Sequence, residues 1–257
     1  MPNELSGILQ SNSYVRERYL PEPSDGLYLH LSDLRLALEP FRTDKKIVVL
    51  DFGCGGSPYR ALFPNANYLR ADVAGDDLDY TIQDDGRSDA PDECCDLLLS
   101  TQVLEHVSDV SGYLNECFRV LKPGGRMICS THGSFDDHPC PDDWNRWTAA
   151  GFRRDLQRAG FVVNDVLKLT TGPRAILFLL DLHYPNFRGT TFNAFKVGAK
   201  IFRYCYDRWK TALHRVADRH LSRYRVVSEP SEKDAIYICV LAECRKPDNG
   251  RFFPVRP

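Results

Sequence analysis

The sequence predicts an α/β fold, a doubly wound, mostly parallel sheet of seven strands with an antiparallel last pair at one edge. Three observations lead there. Short apolar strand-like runs alternate with helical patterns, which is how βαβ units with right-handed crossovers read. The first strong run passes straight into glycines, "IVVLDFGCGG" at 47–56. The final strand, "AIYICVLAEC", comes only after an interruption of some sixty residues.

The elements follow in order. "LYLHLSDLRLALEPF" carries an amphipathic helix that Pro40 ends. "KIVVLDF" is a buried strand, "NANYLRADV" a second, "LDYTIQDD" a weaker third, "CDLLLSTQ" a fourth and "RMICSTH" a fifth. Between the last two, "VSGYLNECFRVL" spaces its apolar residues for a helix, and "KPGG" stops it. "TAAGFRRDLQRAG" is another helix, and "FVVNDVLKL" the strand after it. The expected parts are a helical segment over 1–45, a core over 46–171, a helical insertion over 172–230, and the last strand with its tail over 231–257.

The insertion has its own chemistry. Apolar or aromatic residues recur at Phe192, Phe195, Ala199, Phe202, Tyr206, Trp209, Leu213 and Val216, in steps of three and four, as one helical stripe. Residues 172–230 hold eleven Lys or Arg against four Asp or Glu. A lid on the acceptor side, a membrane-surface contact through 192–225 and a homodimer seam all fit this pattern.

The totals exclude other classes. A net charge of -2 over 257 residues argues against a globally basic nucleic-acid binder, and no nucleic-acid partner is expected. The nine cysteines show no C-x-x-C pair, as in a reduced intracellular chain. The start lacks a basic, apolar leader, and the longest apolar stretch, "AILFLLDL", is too short to span a bilayer. The expected location is cytoplasmic, at most peripheral to the inner face of the membrane.

The glycine turn poses the chemical question. Gly53, Gly55 and Gly56 let a ligand lie close to the backbone at the carboxyl ends of the strands. Asp72 ends the second strand 21 residues after Asp51, where a carboxylate can accept from two ribose hydroxyls. A dinucleotide fingerprint fails, because its third glycine falls on Pro58. Asp51 would repel a pyrophosphate but suits an ammonium. S-adenosylmethionine has that ammonium and no phosphate, which also disfavours a nicotinamide dehydrogenase.

"VVLDFGCGG", "ADV", the "DD" at 84–85, "STQVLEHV" and "LKPGG" together resemble the class I S-adenosylmethionine-dependent methyltransferases of the type 11-like group. The resemblance covers roughly residues 45–165 and implies a Rossmann-like core. It implies that Asp51, Gly53 and Gly55 line the methionine part, Asp72 the ribose, Asp84 or Asp85 the adenine amino group, and that Gln102 closes the pocket. Ser57 stands where the family often has another glycine. Glu105 and His106 of "LEHV" take mainly structural roles in the family, and "KPGG" is no site.

Methyl transfer to a hydroxyl also needs a base. "STHGSFDDHPCPDDWNRWTAAGF" follows the fifth strand at the same sheet edge and gathers His132, Asp136, Asp137, His138, Asp142, Asp143, Trp144 and Arg146 within fifteen positions. From "HPCPDDWNRWT" to "GF", and with "SPYRALFPNANYLRADV" and "VLAECRKP", the chain resembles methyltransferases encoded with bacterial cell-surface polysaccharide genes. His138 is the expected base, with His132 second. Arg146, Trp144 and Asp137 are the expected acceptor contacts, although a salt bridge from Arg146 to Asp142 or Asp143 competes. No metal is assigned, since loop acids more often cap helices or face water. The expected activity is O-methylation of a sugar hydroxyl on a glycan or glycolipid precursor. A small-molecule phenol or amine is the alternative acceptor, and a catalytically silent cofactor-binding scaffold the alternative of another class.

Overall fold

Strand β1 (Val48–Phe52) lies inside the sheet because its residues, nearly all buried, face helices on both sides. In the computed structural model, residues 12–140, 142–186, 193–227 and 236–248 are described. The other strands are β2 (Asn67–Asp72), β3 (Tyr80–Thr81), β4 (Cys95–Thr101), β5 (Leu121–His132), β6 (Val162–Thr171), β7 (Tyr224–Val226) and β8 (Tyr237–Arg245). They lie in the order β3-β2-β1-β4-β5-β8-β6-β7. From β3 to β5 all pairs are parallel, while β8 runs antiparallel between β5 and β6.

The expected α/β, Rossmann-like sheet is therefore present, with its antiparallel last pair, β6 and β8, toward one edge and two further details. Within that pair the last strand is the inner one. Ile238, Cys239, Val240, Leu241 and Ala242 are all buried, so a run this apolar is driven into the middle of the sheet. The edge belongs to β7, an eighth and exposed strand whose three residues give too short a pattern to read. In addition, "KPGG" falls within β5 as an irregularity between Cys95 and Leu97 of its partner, so the strand begins at the residue after the helix.

Helices α1 (Ser13–Tyr19), α2 (Tyr28–Leu38), α3 (Val110–Val120), α4 (Ala149–Arg158), α5 (Pro173–His183) and α6 (Asn193–His220) complete the described residues. On one face of the sheet, Tyr113, Leu114 and Cys117 of α3 and Phe152 and Leu156 of α4 pack on Leu50, Leu98 and Val240. On the other, Leu34, Ala37 and Leu38 of α2 pack on Val49, Leu97, Leu99 and Ile128. Alternation along β4 thus sends successive leucines to opposite faces. Side-chain caps start α3 and α4, where Asp109 accepts from Gly112 N and Thr148 from Gly151 N.

Residues 172–230 contain α5 and α6 and also β7, which pairs with β6 in the sheet. Phe192, the side chain of Phe195, the beginning of the last segment and the tail beyond 248 lie outside the described residues. A third cluster joins the N-terminal segment to the insertion through Tyr28, Leu29, Ala175, Phe178, Ala217 and Ile238. No helix among the described residues is long and apolar enough to cross a membrane. All nine cysteines are free.

Candidate functional site

At the end of β1 the chain turns through Gly53 (φ 81°) and Gly55 (φ 47°), conformations that only glycine adopts without strain. The amides of Gly53 and Cys54 donate to Ala71 O, fastening the turn to β2. Asp72 then accepts from Gly55 N and from Val73 N, both at 2.7 Å. A carboxylate offers about four acceptor positions, so it keeps capacity for a ligand's hydroxyls.

Asp51 sits beneath this turn, 2% exposed, with its Oδ2 accepting from the Tyr68 hydroxyl at 2.7 Å. Burial pushes its carboxyl up to about 7, and Asp72 adds to the rise, while Tyr68, Ser57 and Arg70 hold it down. Among the described residues no cationic side chain hydrogen-bonds this acid. A ligand ammonium would complete it. The turn therefore fits S-adenosylmethionine on its own geometry: an under-compensated acid for the ammonium and an acceptor at the β2 end for the ribose.

The remaining expected cofactor contacts are placed less uniformly. Asp84 and Asp85 lie in an exposed turn directly after β3, where Asp85 accepts from Arg87 N at 3.0 Å. Gln102 takes a left-handed conformation (φ 56°) and caps no helix. Its Nε2 donates to Ser130 Oγ at 3.0 Å and Cys239 Sγ at 3.1 Å, holding the amide against β5 and β8.

Sequence reasoning missed α1. Its Asn12 cap accepts from Val15 N, and Arg16 pairs with Asp25 at 3.2 Å. The helix lays Tyr14 and Val15 across the glycine turn, so close that a Cβ on Gly55 would stand 3.0 Å from the Tyr14 hydroxyl. Asn12 as a helix cap was the available signal. With only Tyr14, Val15 and Tyr19 as apolar residues, seven positions show no period.

Beyond the end of β5 the structure brings His132 and His138 together, with ring centroids 4.7 Å apart. His132 ends β5, is 3% exposed, and stacks flat on Phe135 at 4.0 Å. Glu105, in the single turn Leu104–His106 after β4, is fully buried. Its Oε2 accepts from Thr131 at 2.8 Å, and its Oε1 lies 3.4 Å from His132 Nδ1. Burial drives the carboxyl of Glu105 up to about 7 and the imidazole of His132 down, the latter helped by His30 and His138. His138 is shifted down by its own partial burial. His30, Phe135 and Phe178 back this cluster with rings 5.7 Å apart.

Arg146 is occupied otherwise than expected. It grips both oxygens of Asp143 at 2.6 Å and donates to the carbonyls of Phe135, Asn145 and Asp136, so it clamps the loop that carries His138. The competing salt bridge is the one formed, and a guanidinium so engaged has little left for an acceptor. Asp143 also accepts from His138 N at 2.9 Å. Trp144 is 60% exposed and Asp137 is exposed, with Trp144 N donating to Glu105 O at 2.7 Å.

The methyltransferase domain family matches residues 27–166. A ubiquinone biosynthesis O-methyltransferase of Cereibacter sphaeroides is 37% identical over 100 residues, covering 32% of this chain and 40% of its own length. The chain thus spans about two fifths of that relative. Among solved structures, the cyclase SpnF superposes with a TM-score of 0.51 at 18% identity, over 87% of this chain and 85% of its own. Phosphoethanolamine N-methyltransferase 2 of Haemonchus contortus, in complex with S-adenosyl-L-methionine, gives 0.50 at 15% identity, over 93% of this chain and 56% of its own. These two likenesses show the fold alone.

Proposed function

Because the chain belongs to the methyltransferase domain family, we propose that it transfers a methyl group from S-adenosylmethionine to a hydroxyl of a lipid-associated acceptor, in the first place a sugar of a glycan or glycolipid precursor. Asp51 carries the reading: a buried carboxyl beneath a glycine turn, partnered by a neutral phenol, suits an ammonium and rejects a pyrophosphate. When bound, S-adenosylmethionine supplies a methyl carbon made electrophilic by its sulfonium. Asp51 pairs with the ammonium, Asp72 accepts from the ribose hydroxyls, and Asp84 or Asp85 meets the adenine amino group. What remains for the chain is to align the acceptor and remove one proton, which falls to His138 and His132 beside Glu105.

The lipid part of the proposal draws on α6. Val197, Ile201, Tyr204, Trp209 and Val216 are exposed on the same outward face as Lys200, Arg208, Arg215 and Arg219. Apolar and aromatic side chains among cations suit an anionic lipid surface. A second reading, a phenolic hydroxyl on a small or lipid-tailed molecule, is favoured by the rings of His30, Phe135 and Phe178 and by the name of the curated relative.

Incubation with methyl-labelled cofactor and a lipid extract tests both. Label should pass to the organic phase, and mass spectrometry of the product separates a methoxy sugar from a methoxy phenol. Cofactor binding by calorimetry without labelled product against glycan, phenol and amine pools would favour a silent scaffold. Sedimentation with anionic vesicles should fall for Ile201→Glu and Trp209→Glu, and equal binding would remove the membrane contact.

A further inference from the structure

Among the described residues, three of the buried polar atoms left without hydrogen-bond partners come from one cluster. Glu105 Oε1, His132 Nδ1 and His138 Nδ1 are each buried and lack a hydrogen-bond partner. All three ligand atoms lie within 4.8 Å of one another. A buried carboxylate oxygen facing two buried imidazole nitrogens, with nothing bonded between them, is costly unless something fills the gap.

We propose that Glu105, His132 and His138 form a binding site for a first-row divalent transition ion such as zinc. The spacing suits it. Two donors each about 2.1 Å from a tetrahedral ion stand roughly 3.4 Å apart, and Glu105 Oε1 and His132 Nδ1 are 3.4 Å apart. His138, carried on a loop and half-buried, brings the third donor within 4.8 Å of the other two, and its Nδ1, now 3.5 Å from Asp143 Oδ2, turns from that acid to the ion. Two imidazoles with one carboxylate favour zinc, iron(II), cobalt or manganese over magnesium and calcium, which take oxygen donors. Three protein donors leave a position open, as in sites that bind a substrate oxygen.

The surroundings hold the donors in place. Phe135 stacks on His132, and Thr131 fixes the other oxygen of Glu105. The loop is sewn to both donor-bearing segments by Trp144 N to Glu105 O and Trp147 N to His132 O. Asp143, held by Arg146, accepts from the backbone of His138. Such support keeps imidazoles oriented for a metal. With the ion bound, the imidazoles have no lone pair left to act as base, so its task is to draw an acceptor hydroxyl close and ease loss of the proton to solvent in their stead; that task rests on the methyl-transfer reading, and the binding itself does not.

The test strips the purified full chain with a chelator, then titrates it with zinc, with cobalt(II) and with magnesium. It reads metal per chain by mass spectrometry and the visible ligand-field spectrum of cobalt. The expected result is one ion per chain, affinity lowered at least tenfold by Glu105→Gln and by His138→Ala, and no change with His220→Ala on α6 or Cys140→Ser. His138→Ala should remain folded, because that side chain is a third exposed. Failure to bind either ion, binding undiminished in both ligand variants, loss with Cys140→Ser alone, or equal affinity for magnesium would each overturn the site. Cofactor calorimetry on the same samples reports separately on the methyl-transfer reading.

Discussion

The hydroxyl of Tyr68 on β2 donates to the carboxyl of Asp51 on β1 at 2.7 Å, across two strands that pair in register. It is a neutral donor to an acid that burial has pushed up to about 7. Folded protein therefore binds a proton here that the unfolded chain, near 3.8, does not hold between those values. Stability of the ligand-free form should fall as pH rises from about 4 to about 7 and then level off. Cofactor affinity should run the other way, rising through the same window as Asp51 ionises. Calorimetry with S-adenosylhomocysteine from acidic to mildly basic pH checks this. Asp51→Asn should flatten the profile and weaken binding by about 10- to 100-fold, the worth of one hydrogen bond to a charged group. Tyr68→Phe should move the midpoint upward, since it removes a bond that favours the charged form.

Gly53 is the least replaceable residue of the turn. A Cβ there would meet the two methyls of Val103 at 2.5 and 2.7 Å, and the backbone is already at φ 81°. No rotation of a β-branched side chain can clear both contacts. Gly53→Ala should cost about 2–4 kcal/mol by denaturant unfolding, combining overpacking with left-handed strain. The double variant with Val103→Ala should recover the overpacking part and leave the strain.

Tyr14 gives the N-terminal helix a role in ligand exchange. Its ring lies against Gly55 and Gly56, and the Arg18 guanidinium covers it at 3.6 Å. Tyr14→Ala should release S-adenosylhomocysteine several-fold faster in stopped-flow displacement, with association little changed. Hydrogen exchange across Ser13–Tyr19 should slow when the ligand is bound.

How much of this was legible follows from sequence distance. The cofactor half is local: a strand, an acid and glycines within ten residues, then Asp72 at the next strand end. Periodicity and turn chemistry suffice for that. The acceptor half is assembled from afar. Glu105, His132 and His138 come from two strand ends and a loop, and His30 and Phe178 reach them from α2 and α5. Nothing in the run "STQVLEHV" tells that Glu105 turns inward beside a histidine 27 positions later. Arg146 was ambiguous for the reverse reason. Its partner Asp143 is three residues away, yet a substrate anion satisfies the same fork equally well.

The histidine cluster also depends on a buried ion network that no short pattern announces. Arg174, fully buried at the first turn of α5, donates to Asp33 of α2 at 2.7 Å and to Asp218 of α6 at 2.9 Å. Arg223 bridges the same two acids, and Thr170 adds a bond to Asp33 at 2.9 Å. This joins three helices at the place where Phe178 of α5 packs against His30 and Phe135 behind the histidine pair. Removing one partner strands the other charge in a dry interior. Arg174→Met should therefore cost about 3–5 kcal/mol. Replacing both groups, Arg174→Met with Asp33→Asn, should cost less than the sum of the singles, because the stranded carboxylate goes as well. Burial raises Asp33 to about 6 even with its partners present, so much of the pairing energy already goes into desolvation. Denaturant unfolding of the two singles and the double gives the coupling. Fluorescence-detected binding of S-adenosylhomocysteine should survive in the double variant. Methyl transfer should fall further than binding does, since the network holds the rings behind His132 rather than the glycine turn.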